Sequence, residues 1–340
     1  MKETRIWIVA DRQYRGYERL RVKIMKISEL LQRIDYTVLQ GDLSDEVTGI
    51  CHDNRMLQKG DAFICISGAR FDTHTMAGEL AKKAALLVVE KPVELDADCK
   101  TAVVQVASTR DIVAALAAAF YGYPSEKVVC IGITGSKGKT TCTHMMADIL
   151  RAAGYLTGTI GTNGAIMPAG CDHAVWGSDK YSCAPCNETP GYDCYELNNT
   201  TPDPMELQMY LAMMVKAGCT HVVLEVSSQG MKQKRVATVD FAYGVWTNIE
   251  TGDHIGPNEH KYFEEYLYCK AMLLNQSRRA YVNCDDRHLD AFMKYVTLSD
   301  GSDGRTKQVF YYGEGEKADY RIGNLKKSQN GVLEAPGIEF

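Results

Sequence analysis

Residues 128–141 read Val-Val-Cys-Ile-Gly-Ile-Thr-Gly-Ser-Lys-Gly-Lys-Thr-Thr. The apolar run Val128–Ile133 has the character of a buried strand, and the apolar residues of Cys142–Ala153 recur at helical spacing. Between them lies a glycine-rich loop of the kind that cradles nucleotide phosphates. Gly135 and Gly138 let backbone N–H groups approach the oxygens, Lys139 reaches the β- and γ-phosphates, and Thr140 offers a hydroxyl to Mg²⁺. Ser136, Lys137 and Thr141 complete the loop. The commonest version, Gly-x4-Gly-Lys-Thr, would put its first glycine at Ile133, and this loop departs from it there. A Gly-Lys-Thr-Thr that only caps a helix is the alternative. The order strand, loop, helix favours a site for ATP or a related nucleotide.

A chain of 340 residues suggests two domains, and a hydrophobic fraction of 45% supports sizeable cores. The formal charge of −5 gives no reason to expect a nucleic-acid partner. No apolar run reaches the roughly 18–20 residues of a membrane span. Trp7–Ala10 is too short for the core of a signal peptide. The expectation is a soluble, cytoplasmic chain. Of the 12 cysteines, most are scattered through apolar segments, as Cys65, Cys130, Cys142 and Cys219 are, and read as small buried hydrophobes. Cys171, Cys183, Cys186 and Cys194 instead crowd into a polar stretch.

Residues 1–24 are rich in arginine and lysine without a clear period and read as an extension. Met25-Lys-Ile-Ser-Glu-Leu-Leu reads as a fresh start, with Ser28 as helix cap. From there to residue 125, strands at Asp61–Ile66 and Ala85–Glu90 alternate with helices at Thr75–Lys83 and Thr109–Phe120, and Tyr121-Gly-Tyr-Pro-Ser is a linker. A second unit, 126–340, opens with the phosphate loop and adds strands at His221–Val226, Phe241–Thr247 and Arg279–Val282. This alternation predicts an α/β fold with a mostly parallel sheet, whose ligands sit beyond the carboxyl ends of its strands.

Several residues fall at those ends. Glu225 closes a strand, where it is either a solvated carboxylate or a holder of Mg²⁺. Asp253-His254 lies in a Gly/Pro loop after another strand and reads equally as a metal-site pair or an ordinary loop histidine. Lys270 falls on the apolar stripe Phe263, Leu267, Leu274 of a helix over His260–Leu274, so it either snorkels to the rim or is held inward for function. Asn199-Thr200-Thr201-Pro202 precedes a helix, Met205–Ala217. Gln233 and Arg235 follow the Ser227-Ser228 turn, where an arginine could clamp a carboxylate or phosphate. Asn283-Cys-Asp-Asp follows a strand and could border adenine and ribose.

Together these stretches resemble the Mur ligases, of the MurE type, which add the third amino acid to UDP-N-acetylmuramoyl-dipeptide. The resemblance rests on the loop, on Asn-Thr-Thr-Pro-Asp-Pro, Glu-Val-Ser-Ser-x-Gly, Gln-x-Arg-Val, Thr-Asn, Asp-His, the helix lysine and Asn-x-Asp-Asp, in that order. Asp53-Asn54-Arg55, Lys59-Gly-Asp-Ala-Phe and Ser67-Gly68 extend it into the first domain. It implies a UDP-sugar-binding domain over 25–125 and an ATP-binding domain over 126–340. Gly135–Thr141 would bind ATP, with Asn283 alongside, and Lys139, Glu225, His254 and Lys270 would be the catalytic set. Thr140, Glu225, His254 and a carbamylated Lys270 would hold Mg²⁺. Asn199, Thr200, Thr201, Ser227, Gln233 and Arg235 would contact the muramoyl-peptide, while Asn54 and Ala69-Arg70-Phe71 would line the UDP. The implied reaction passes through an acyl phosphate that the amine of a free amino acid attacks.

Asn54 and Gln229 replace the family's usual Ser and His, and Ile166–Asn198 is longer than its usual connection. Within that stretch Cys183-x-x-Cys186 has the spacing of a zinc knuckle that Cys171 and Cys194 could complete, against the alternative of a loop with free thiols. Family members continue into a third domain that binds the incoming amino acid. The chain ends at Phe340, before it, which leads to the expectation of a truncated form that ligates poorly alone. A pseudomurein or folylpolyglutamate type of ligase and a non-catalytic nucleotide-binding subunit are the alternatives.

Overall fold

The computed structural model describes residues 24–68, 71–169, 189–252, 254–257, 259–297, 308–323, 326–327 and 333–334. The first sheet contains β1 (Thr37–Gln40), β2 (Gly49–Cys51), β3 (Asp61–Ile64), β4 (Leu86–Val89) and β5 (Ala102–Gln105), in the spatial order β1-β5-β4-β3-β2. All its pairs are parallel except β1 with β5. Its central strands are buried on both faces, as their unbroken apolar runs require. Helix α1 (Thr109–Phe120) covers one face through Val113, Leu116 and Phe120, and Leu80 and Ala81 of the short helix Ala77–Ala81 cover the other.

Two local expectations are corrected here. The first helix runs Ile27–Leu30, so Ser28 lies inside it and Lys26 holds the cap position without a side-chain bond. The carbonyls of Asp45 and Leu43 accept the Ile27 and Ser28 N–H groups, and a capping hydroxyl is not needed. In place of one helix over Thr75–Lys83, a 3₁₀ turn Thr73–Met76, capped by the Asp72 side chain on the His74 N–H, precedes Ala77–Ala81.

The second sheet has nine strands: β6 (Val129–Thr134), β7 (Thr157–Gly161), β8 (Gly164–Pro168), β9 (Tyr192–Tyr195), β10 (His221–Glu225), β11 (Phe241–Trp246), β12 (Arg279–Asn283), β13 (Gln308–Gly313) and β14 (Tyr320–Arg321). Their order is β9-β8-β7-β10-β6-β11-β12-β13-β14, parallel throughout except at the β7/β8 and β8/β9 pairs. The long stretch after Ile166 therefore leaves the sheet edge along one strand and returns along another.

Helix α2 (Lys139–Ala152) lies on one face, packing Ala147 against Ile131, Ile133 and Val223. Helices α3 (Pro204–Lys216), α5 (Phe263–Gln276) and α6 (Leu289–Met293) cover the other, and α4 (Ser228–Lys232) packs beside α5. The two sheets meet where α1 packs on α3. Lys234 to Asp111 at 2.6 Å and His52 to Asp203 at 3.3 Å also join them. Among the described residues no helix is long and apolar enough to cross a membrane. Cys51, Cys65, Cys130, Cys219 and Cys269 are buried as expected, whereas Cys142, on the flank of α2, is only half-buried.

Trp246, fully buried at the end of β11, stacks on Phe292 at 3.9 Å. Trp246→Ala should cost about 3–5 kcal/mol, and Trp246→Phe well under half of that. Denaturant midpoints with unchanged m-values will check this, and equal losses would show that the stacked face is not what the site contributes.

Candidate active site

Strand β6 sits between β10 and β11, so the loops leaving the carboxyl ends of these three strands converge at the sheet's switch point. The loop after β6 is stapled to the loop after β11. Ser136 N–H donates to the Asn248 carbonyl at 3.0 Å and Lys137 N–H to Asn248 Oδ1 at 2.9 Å. Asn248 Nδ2 and Thr247 Oγ1 donate back to the Lys137 carbonyl at 3.0 and 2.9 Å. A Cβ on Gly135 would come within 2.0 Å of Thr247 Oγ1, so the staple demands glycine. Gly138, with φ of +82°, turns the chain into α2. The first N–H groups of α2 have no intrahelical acceptor and carry the positive end of its dipole, which suits an anion.

Lys270 is held inward. Its side chain is 1% exposed and Nζ donates to the Gly135 carbonyl at 2.7 Å. Lys139 Nζ donates to the same carbonyl at 2.8 Å and to that of Ser136 at 3.1 Å. Two ammonium groups thus flank the phosphate loop.

Glu225, also 1% exposed, is held at both oxygens. Thr140 Oγ1 donates to Oε2 at 2.9 Å, Thr162 N–H to Oε1 at 3.0 Å and Thr162 Oγ1 to Oε2 at 3.2 Å. A hydroxyl beside an oriented carboxylate is an oxygen donor pair of the type Mg²⁺ takes. Thr162 was not foreseen. It sits in the turn between β7 and β8, carries no motif, and also meets Thr200 Oγ1 at 3.0 Å.

His254 lies apart from this pair. Its imidazole is about half exposed, faces Glu259 Oε1 at 3.2 Å and rests 5.8 Å from the Tyr266 ring. Its φ of +57° is unusual for a non-glycine residue. Asp253 lies outside the described residues. Asn283 donates to the Thr247 carbonyl at 2.8 Å and so braces the loop after β11. Cys194 is buried in β9 with its thiol on the Asn163 carbonyl, while Cys171, Cys183 and Cys186 lie outside the described residues. No group of three or more His, Cys, Asp or Glu side chains with metal-site geometry occurs among the described residues.

A cavity of about 430 Å³ opens between the two sheets and brings Asn54 and Phe71 together with Gln233 and Arg235. Ala69 and Arg70 lie outside the described residues. His52, Asp203 and Arg110 also line the cavity and were not singled out from sequence, because nothing local distinguishes them. Thr201 faces the protein interior. It is 1% exposed, and its hydroxyl donates to the Glu225 carbonyl at 2.9 Å and accepts the Ser227 N–H at 2.9 Å. Ser227 Oγ in turn caps α4 through the Gly230 N–H at 3.0 Å. Arg235 reaches the Thr201 carbonyl at 2.6 Å, and Asn199 is exposed nearby. One turn thus ties the cavity to the Glu225 strand.

These features define an α/β protein built around a phosphate-loop motif. Residues 133–336 match the Mur ligase middle domain. The chain belongs to the Mur ligase family. It is 31% identical over 308 residues to a UDP-N-acetylmuramoyl-L-alanyl-D-glutamate–2,6-diaminopimelate ligase of Clostridium perfringens, covering 90% of this chain and 57% of that protein. The ligase of the same name from Bacillus cereus is 34% identical over 319 residues, covering 91% and 57%. A solved structure of such a ligase superposes with a TM-score of 0.67 at 21% identity, over 91% of this chain and 56% of that one. The chain spans little more than half the length of these relatives.

Beside the cavity, burial raises the Glu206 carboxyl to about 7, with Asp203 adding to the shift and Arg235 opposing it. A carboxyl raised in the folded state favours folding while protonated, so its contribution is complete below its unfolded value and is lost as pH climbs through about 7. Glu206→Gln should remove a stability loss on the order of 2–3 kcal/mol between pH 4.5 and 7.5. Denaturation curves of both proteins across that window will measure it, and parallel pH profiles would refute the assignment.

Proposed function

We propose that the chain is the nucleotide- and UDP-sugar-binding part of an ATP-dependent acid–amino-acid ligase of peptidoglycan precursor synthesis, located in the cytoplasm. The observation that carries this reading is the convergence of Lys139, Lys270, Thr140 and Glu225 around one phosphate loop. In this reading residues 25–125 receive the UDP portion of UDP-N-acetylmuramoyl-L-Ala-D-Glu and residues 126–340 receive ATP. The cavity between the sheets, with Asn54, Phe71, Gln233 and Arg235, is the proposed path of that substrate. The incoming group is a free amino acid, which in the relatives' names is 2,6-diaminopimelate.

Bound ATP and Mg²⁺ would supply the phosphoryl group that activates the substrate carboxylate and the charge neutralisation the transfer needs. The N–H groups at the start of α2 would hold the phosphates, with Lys139 leaving its loop carbonyls to reach them. Thr140 and Glu225 would hold one Mg²⁺ with His254 at the metal site, and Lys270, a free amine in the arrangement described above, would on carbamylation supply a carboxylate-like group for a second. Thr162 keeps the Glu225 carboxylate from rotating, so the oxygens face the loop before any ligand arrives.

Thermal melting with a non-hydrolysable ATP analogue plus Mg²⁺, and separately with UDP-N-acetylmuramoyl-L-Ala-D-Glu, tests both halves. Each ligand should raise the melting temperature in proportion to its occupancy. Lys139→Ala and Lys270→Ala should abolish the nucleotide shift, and Arg235→Ala only the muramoyl-peptide shift. A nucleotide shift without a muramoyl-peptide shift would retain the phosphate-loop reading and reject the substrate.

A further inference from the structure

Tyr266 belongs to none of the sequence motifs, yet three parts of the site meet on it. It is fully buried in α5, four residues before Lys270 and so on the same helix face. Its hydroxyl lies 2.9 Å from Ser136 Oγ, the oxygen that also accepts the Glu250 N–H at 2.9 Å. Lys270 Nζ sits 4.6 Å from the centre of the Tyr266 ring, within cation–π range. The imidazoles of His254 and His260 flank the same ring at 5.8 and 5.3 Å. A leucine would fill this space at no polar cost, whereas a buried phenol is unfavourable unless its hydroxyl is hydrogen-bonded. Here that bond goes to the second residue of the phosphate loop.

We propose that Tyr266 is a positioning residue for the phosphate site, fixing the loop through Ser136 and holding the Lys270 head inward beneath it. The consequence is preorganisation. The loop is tied from above by Asn248 and from below by Tyr266, so its N–H groups already converge when an anion arrives. The lysine stem alone would favour snorkelling towards solvent, and the ring face offsets that tendency. This rests on the nucleotide reading given above.

The test uses the full 340-residue chain. Tyr266→Phe keeps the ring and should weaken binding of the Mg²⁺-bound ATP analogue about five- to tenfold, with little change in melting temperature. Ser136→Ala, which also removes the acceptor of the Glu250 N–H, should weaken it at least as much, and the double variant should be no worse than Ser136→Ala alone. Unchanged affinity in Tyr266→Phe, or losses that multiply in the double variant, would overturn the loop half of the proposal. Labelling of Lys270 by acetic anhydride in bicarbonate-free buffer, where it is the free amine, followed by mass spectrometry, reads the other half without any nucleotide. It should be slow in the wild type and in Tyr266→Phe and several-fold faster in Tyr266→Leu. Equal labelling in all three would sink that half. If the wild type binds no analogue, the nucleotide reading falls, and the labelling still decides what Tyr266 does.

Discussion

Two ammonium groups donate to a single carbonyl, that of Gly135, and much of the site follows from this arrangement. Like charges brought to one acceptor repel each other. One backbone oxygen offsets part of that, and the dipole of α2 adds further positive potential at the same place. An electrostatic imbalance of this kind is relieved by an anion. The surrounding structure exists to maintain the imbalance: the Asn248 staple keeps the carbonyl where it is, and the absence of a side chain at Gly135 lets the staple close.

The parts legible in the sequence were those with a local cause. The strand before the loop and the helix after it are set by apolar periodicity; the strand stands within a residue of where that periodicity puts it, while the helix begins three residues earlier, at Lys139. Periodicity also placed Lys270 on an apolar stripe, and its burial on α5 shows that its head does not snorkel to the rim. Glu225 was legible because a carboxylate ending an apolar strand stands out against its neighbours.

What escaped the sequence depends on residues far apart along the chain. Thr162 orients Glu225 across 63 positions, and Tyr266 meets Ser136 across 130. Neither belongs to a spacing that sequence reading recognises, because a threonine in a turn and a tyrosine in a helix are ordinary. The short first helix shows the same limit at smaller scale: Ser28 had the chemistry of a cap, but carbonyls from the Leu43–Asp45 segment had already taken that role. Thr201 shows the converse. Its motif marks a ligand contact, while its burial commits the hydroxyl to the backbone of β10.

That commitment gives the two halves of the site a common frame. Arg235, on the cavity, bonds to the Thr201 carbonyl, and the Thr201 hydroxyl bonds to the carbonyl of Glu225, whose side chain meets the phosphate loop. Arg235 and the phosphate loop are thus joined by a continuous run of hydrogen bonds. His52 and Asp203 close the same cavity from opposite sheets, with Asp203 capping the helix that follows Thr201. The geometry of the cavity is thus set by the contact between the sheets, and the geometry of the phosphate site by the strand order within one of them. Thr201 belongs to both sets of bonds, its carbonyl on Arg235 and its hydroxyl on the Glu225 backbone.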